Sequence, residues 1–250
     1  MRQRRARRVP LRVRLAREPA EAPRPAPLGS PAAHPAAGAA AHLCHDGAMG
    51  SAAMFFHSAS AFHELVAAIG DDQWEQPALG DWTLRSLVGH TTRAILTVES
   101  YLQLDDPGFP TVSNAEGYYA RVYRDLTDPA AVAARGVEAG IWLGDDPAQA
   151  VGDALVRAMA LVDTAPPERI VSIGGLGIEL GEYLRTRVFE LVVHSIDIAR
   201  TTGLPHGQPA ESVRATLELA AGVAASKGDT EVLLLALTGR GELPAGYSVV

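Results

Sequence analysis

The sequence predicts a mainly α-helical protein, a helical bundle with a small α/β segment at its C-terminus. Several long stretches repeat apolar residues at intervals of three and four, the mark of helices that bury one face. Clusters of Gly, Asp and Pro interrupt the pattern between them. With 47% apolar and 20% charged residues, the chain can bury a core without disulfides or structural metals as staples.

The first amphipathic helix is expected over Ser51–Ile69, with Phe55, Phe56, Ala59, Phe62, Leu65, Val66 and Ile69 at helical spacing. Gly70-Asp71-Asp72 stops it. Asp81 or Thr83 then caps a second helix over Leu84–Leu104, whose stripe is Leu84, Leu87, Val88, Thr91, Ile95, Val98 and Leu102. Asp105-Asp106-Pro107-Gly108 ends it. Residues 113–146 are expected to hold two short helices, Ala115–Asp125 and Pro129–Ala139. A longer one spans Pro147–Asp163, and Ala165-Pro166-Pro167 terminates it. Another long helix begins near Ile178 and runs to Thr201, with Gly203 and Pro205 just beyond. The last segment reads as a helix over Ala210–Ser226, a strand over Glu231–Thr238, a turn over Gly239–Gly246 and a second strand at Tyr247–Val250. The sum is four principal helices in a bundle, residues 49–203, followed by a short α/β segment, residues 204–250.

Residues 1–48 differ in kind. They hold nine arginines against Glu18, Glu21 and Asp46, with seven prolines and thirteen alanines. Without a periodic apolar face, such a stretch cannot bury enough surface to offset its ordering entropy. It is expected to be a disordered tail, or translated upstream sequence ahead of a start at Met49 or Met54. No apolar run of signal-peptide length follows the arginines. Since the whole chain carries −7 and this stretch +6, the remainder carries −13. An acidic body without a basic stripe argues against nucleic-acid binding, which requires phosphate neutralisation. The longest apolar runs, such as Val232–Leu237, are too short to span a bilayer. Cys44 is the sole cysteine, so the helical part offers no disulfide, zinc finger or thiol nucleophile of its own.

The helix over Leu180–Arg200 carries the chemistry. At 100° per residue, Phe189, Val192, Val193, Ile196 and Ala199 share one broad face, and Leu191 and Ile198 lie nearly opposite. A helix apolar on almost every side is buried. One narrow stripe is nevertheless polar: Tyr183, Arg187, Glu190, His194 and Asp197 follow at spacings of three and four. Buried charges there require partners, water or a metal. Glu190 and His194 stand one turn apart on the same face, and a third ligand from a facing helix would complete a His₂-Glu site. His90, at the flank of the second helix's apolar stripe, is the best third ligand. Spacing alone leaves a second account open: a structural network in which a Glu190–His194 hydrogen bond is closed by Arg187. His57 and His63 cannot share a helical face, His206 falls in a turn, and His34, His42 and His45 lie in the tail.

Two segments carry a family resemblance. Gly80-Asp81-Trp82-Thr83-Leu84-Arg85-Ser86-Leu87-Val88-Gly89-His90-Thr91 resembles the metal-binding N-terminal domain of mycothiol-dependent maleylpyruvate isomerase and its actinobacterial relatives. There a Trp-x-x-(Arg)-x-Leu-(Val)-x-His segment opens the second helix and its histidine ligates a metal. Phe189–Ala199 resembles the group's second signature, whose glutamate and histidine supply the other two ligands. The resemblance covers about residues 51–203 and implies a DinB-like four-helix bundle, with His90, Glu190 and His194 as ligands of one divalent metal, zinc above others. It further implies mycothiol as thiol cosubstrate and a cytoplasmic enzyme. The chain departs from that isomerase at its C-terminus, where only about 45 residues follow Gly203 in place of a larger domain. Leu234–Arg240 looks like the end of a reduced version, with Arg240 positioned to reach an anionic substrate.

The function so implied is an isomerase or S-transferase acting through a metal-bound thiolate on an electrophilic small molecule. The cosubstrate's sulfur matches the missing cysteine. Asp197 would orient His194, and Arg187 would offset charge or hold a carboxylate; simple ion pairs across helix turns are the other account of both. Two rivals keep the bundle: a hydrolase using metal-bound water, and a non-catalytic metal-binding or regulatory module. The expected partners are a thiol and an electrophile, with no nucleic acid and no membrane, in a monomer or homodimer.

Overall fold

The computed structural model describes residues 49–125, 128–166 and 168–250; the expected tail, residues 1–48, lies outside them. Among the described residues the elements in order are α1 (Ser51–Ala67), α2 (Leu84–Leu102), α3 (Ala115–Asp125), α4 (Pro129–Trp142), α5 (Pro147–Thr164), β1 (Ile170–Ile173), β2 (Leu176–Glu179), α6 (Leu180–Thr202), α7 (Ala210–Lys227) and α8 (Thr230–Leu237). The helices expected from apolar spacing are present, with ends shifted by a few residues.

Local chemistry accounts for the boundaries that position the site. Thr83 is extended and its Oγ1 accepts from the Ser86 amide at 3.4 Å, so α2 starts where a hydroxyl can satisfy an orphan donor. Asp128 and Asp146 cap α4 and α5 in the same way, each followed by a proline in the first turn. At the far end of α6, Gly203 takes the left-handed conformation with φ 76° and its amide returns to the Ala199 carbonyl.

Four helices form the bundle: α1 and α2 each pack against both α5 and α6. Leu84, Leu87, Ile95, Leu184, Leu191 and Ile198 are sealed from solvent in the shared core. Burying each such side chain contributes on the order of 2 kcal/mol. The hydroxyls buried with them on α2 bond locally: Thr91 and Thr92 donate to the Leu87 and Val88 carbonyls, each at 2.8 Å. Outside the bundle, α4 lies on α2, while α7 packs on α3 and α6. The α2–α4 approach is close enough to need glycine on both sides. A Cβ at Gly89 would stand 2.2 Å from the Gly140 nitrogen, and one at Gly140 would stand 3.0 Å from the Arg85 oxygen.

The sheet is small and is not where the sequence pattern placed it. β1 and β2 form an antiparallel hairpin pairing Ile170 with Glu179 and Ile173 with Leu176. Its two-residue loop is Gly174-Gly175, both with positive φ, as a type I′ turn requires. This hairpin leads directly into α6. The strand expected over Glu231–Thr238 is instead the helix α8, and Tyr247–Val250 is not a strand. The run Val-Leu-Leu-Leu-Ala-Leu has only one β-branched residue among strong helix formers, and no sheet edge stands beside it to pair with. The mainly helical class with a small sheet therefore holds, with the sheet between α5 and α6 rather than after Gly203.

The tail beyond α8 folds back on the body. Tyr247 donates to Asp229 Oδ2 at 3.2 Å, Lys227 Nζ donates to the Val249 carbonyl at 3.2 Å, and Val249 and Val250 rest against the core. No helix among the described residues is long and apolar enough to cross a membrane.

Candidate metal centre

His90 lies in the second turn of α2 and Glu190 and His194 lie mid-way along α6, on the faces these two packed helices present to each other. One donor atom from each of the three residues falls within 4.8 Å of the others. No other group of three potential ligands is found among the described residues. His194 Nε2 stands 3.4 Å from Glu190 Oε2, and its other nitrogen, Nδ1, is 3.1 Å from Asp197 Oδ2. The His90 and His194 rings meet edge to face, 5.0 Å between centroids.

Each member is held from behind. The Trp82 ring lies 4.6 Å from His90, and its Nε1 donates to the Ala133 carbonyl of α4 at 3.1 Å. Gly136 makes room for that indole, since a Cβ there would be 2.6 Å from Trp82 Cζ2. On the opposite side, the Tyr119 hydroxyl from α3 is 2.9 Å from Glu190 Oε1 and 3.2 Å from the Thr186 carbonyl. Asp197 fixes the His194 ring through Nδ1, leaving Nε2 turned toward Glu190.

These contacts set the charges. Burial, with the neighbouring His194 charge, pushes His90 down to about 3, so it is neutral at physiological pH. Burial alone would raise Glu190, yet the hydrogen bond from His194 and the charge of Arg187 bring it down to about 2. Burial would likewise lower His194, but its hydrogen bonds to Asp197 and Glu190 outweigh it and raise the imidazole to about 9. Tyr119 stays protonated because burial, then the Glu190 charge, disfavours its phenolate.

The triad forms part of the wall of a cavity of about 460 Å³. Apolar side chains such as Leu79, Val132, Phe189 and Val193 line it beside the polar groups. Arg187 and Asp197, both expected from the stripe on α6, also line it. Arg187 makes no ion pair among the described residues: its Nε donates to Thr186 Oγ1 at 3.0 Å and its guanidinium lies 4.9 Å above the Tyr183 ring. It therefore does not close the Glu190–His194 network. Arg240 does not join the site. It is exposed, donates to the Thr238 carbonyl at 3.3 Å, and is absent from the cavity wall. Ser248 and Val250 from the folded-back tail line the cavity instead.

A metal fits this donor set better than a closed network does. Glu190, His194 and Asp197 satisfy one another, but the buried Nδ1 of His90 has no hydrogen-bond partner. A buried polar atom without a partner costs about 1–3 kcal/mol, so it calls for an explanation. Neutral imidazoles and an ionised carboxylate are also the protonation states a divalent cation requires, His194 excepted, which must shed its proton.

The sequence model of the mycothiol maleylpyruvate isomerase N-terminal domain matches residues 55–199. The chain belongs to this family. The matched span contains the whole triad with Tyr119, Arg187 and Asp197, and the mainly helical DinB-like bundle agrees with it. No curated protein and no solved structure matches the chain.

Tyr119 and the tail residues Ser248 and Val250 were not singled out by spacing. The adjacent pair Tyr118-Tyr119 on a short helix that also carries Glu116, Arg121, Arg124 and Asp125 is the sequence signal that points to α3, because large aromatic rings favour burial.

Proposed function

We propose that this protein is a thiol-dependent isomerase or S-transferase that holds one divalent metal, most readily zinc, through His90, Glu190 and His194, with mycothiol as its thiol cosubstrate. The observation that carries this is the three-donor cluster of His90, Glu190 and His194 on the wall of a cavity, together with a buried His90 Nδ1 that has no hydrogen-bond partner. A metal bound by two imidazoles and a carboxylate keeps an open position, and there it would lower the pKa of a thiol and supply a nucleophile at neutral pH.

The chain's own groups do the rest. Asp197 holds the His194 tautomer through Nδ1, and Tyr119 holds one Glu190 oxygen so that the other faces the histidines. Apolar residues of the wall, Val132, Phe189 and Val193 among them, limit water around the reacting groups. Arg187 places a permanent positive charge on the same wall. Since residues 49–250 contain no cysteine, the sulfur comes from the cosubstrate. Addition of that thiolate to an electrophilic double bond would form one C–S bond while the π pair moves onto the conjugated carbonyl. After rotation about the resulting single bond the pair would return, expel the thiolate and give back the cosubstrate and the isomerised product.

The test is metal content by mass spectrometry on the full chain, beside His90→Ala and His194→Ala variants that keep their helical circular dichroism. Near-stoichiometric metal in the parent and its loss from both variants supports the proposal. A metal-free parent that takes up none on reconstitution defeats it. If metal binds but no thiol adds to any electrophile, the non-catalytic module is the correct account.

A further inference from the structure

A second cavity, of about 140 Å³, shares His90, Glu190, Arg135 and Arg187 with the first and continues along α2 to Arg93 and Thr97. Three guanidinium groups from three helices thus converge on one small space: Arg93 from α2, Arg135 from α4 and Arg187 from α6. Helical spacing enforces the convergence. Arg93 is three residues after His90, and Arg187 is three residues before Glu190, so both occupy the faces that already point into the cleft.

Among the described residues the positive charge there is not balanced. Glu190 is the only carboxylate that they place on the wall of the smaller cavity, and its oxygens are engaged by Tyr119 and His194. Among the described residues the side chains of Arg93 and Arg135 make no ion pair and no hydrogen bond. Arg187 makes no ion pair within 4 Å among the described residues; it donates to the Thr186 hydroxyl, lies over the Tyr183 ring and shares the charge of Glu190 with His194. All three are at least half-buried. Burial, and after it the charge of Arg135, makes Arg93 hold its proton less firmly than usual. Like charges gathered in a partly dehydrated space require an anion, or the assembly is destabilised. Planar guanidinium forks match the two oxygens of a carboxylate.

We infer that Arg93, Arg135 and Arg187 form a carboxylate subsite beside the metal triad, one that receives the acid group of the electrophilic substrate. Its role in turnover rests on the function proposed above; its ability to bind an anion does not. The volume suits a short-chain acid, and the subsite lies where a carboxylate would anchor one end of a molecule whose double bond faces the triad.

Calorimetric titration of the full chain with succinate tests this, with succinamide as the uncharged control. Succinate should bind and succinamide should not. Arg135→Gln and Arg93→Gln, checked for unchanged circular dichroism, should each weaken succinate binding at least about tenfold, the loss expected for one charge-assisted pair. Arg135→Lys, which keeps the charge but not the fork, should fall between. His194→Ala disables the metal triad but leaves the three arginines, so it should retain succinate binding; loss there would mean that the metal, not the arginines, holds the acid, and would overturn the subsite. Absence of succinate binding, or equal binding by the arginine variants, would overturn it as well. Displacement of succinate by maleate but not by N-acetylcysteine assigns the subsite to the electrophile; displacement by the thiol acid alone overturns that assignment. A protein that binds no metal yet binds succinate through these arginines would refute the proposed function and leave this inference standing.

Discussion

Helices α6 and α8 make an instructive pair. Six of the eight residues of α8 are apolar, yet none of its residues is buried, and Leu234 and Leu237 are 56% and 69% exposed. α6 carries a complete stripe of ionisable residues, yet ten of its side chains are buried. Apolar content therefore does not rank these helices by burial. α6 is surrounded by α1, α2, α3 and α7, whereas α8 touches chiefly α7 at the edge of the fold. Being surrounded is also what gives the α6 stripe its chemistry. The same Glu and His on α8 would be solvated at ordinary pKa values, while on α6 burial and neighbours drive Glu190 down to about 2 and His194 up to about 9.

Several measurements would sharpen or break that contrast, and the largest effect expected is on metal affinity as pH changes. Metal must displace the proton that His194 holds up to about pH 9, whereas His90, at about 3, and Glu190, at about 2, have already lost theirs. Affinity should therefore rise about tenfold per unit between pH 6.5 and 8.5, with roughly one proton released per metal bound. Metal titrations in a series of buffers would show this slope, and a flat profile would mean that His194 is not a ligand. Next comes Gly89→Ala. The new methyl would lie 2.2 Å from a backbone nitrogen of α4, so stability to urea should fall by about 3 kcal/mol as α4 is pushed off α2. An unchanged urea midpoint would show that α4 is loosely held.

Tyr119→Phe removes the hydroxyl on Glu190 Oε1 and should weaken metal binding about tenfold with little change in helicity. No change in affinity would reduce Tyr119 to a packing residue. The smallest effect belongs to α8. Leu237→Ser should alter stability by less than about 0.5 kcal/mol, because its side chain is already in water. A larger loss in thermal unfolding would mean that α8 is covered in solution.

Much of the α2–α6 site was legible from residue order. His90, Glu190 and His194 sit on regular helices whose apolar stripes declare which way they face, and Asp197 and Arg187 follow on the same α6 stripe at spacings of three. Arg240, expected to reach an anionic substrate, is exposed and does not line the cavity, for the opposite reason. It follows a segment with no buried residue to orient it, so its position in the chain carried no information about direction. The hairpin is not legible in the sequence although Gly174-Gly175 marks its turn, because each strand has only four residues and neither alternates strongly in polarity.

Residue order alone was enough for the mainly helical class, for most of the helices to within a few residues of their ends, and for the candidate ligands His90, Glu190 and His194. These depend on local propensity, capping and a 3.6-residue period, all of which act over a few neighbouring positions. Residue order did not reveal that Tyr119 closes on Glu190, that Trp82 braces His90 against α4, that three arginines meet in one cavity, or that Ser248 and Val250 wall the site. Those pairings join residues tens of positions apart, and they arise from which helix packs on which, a choice made by the whole core and not by any single segment.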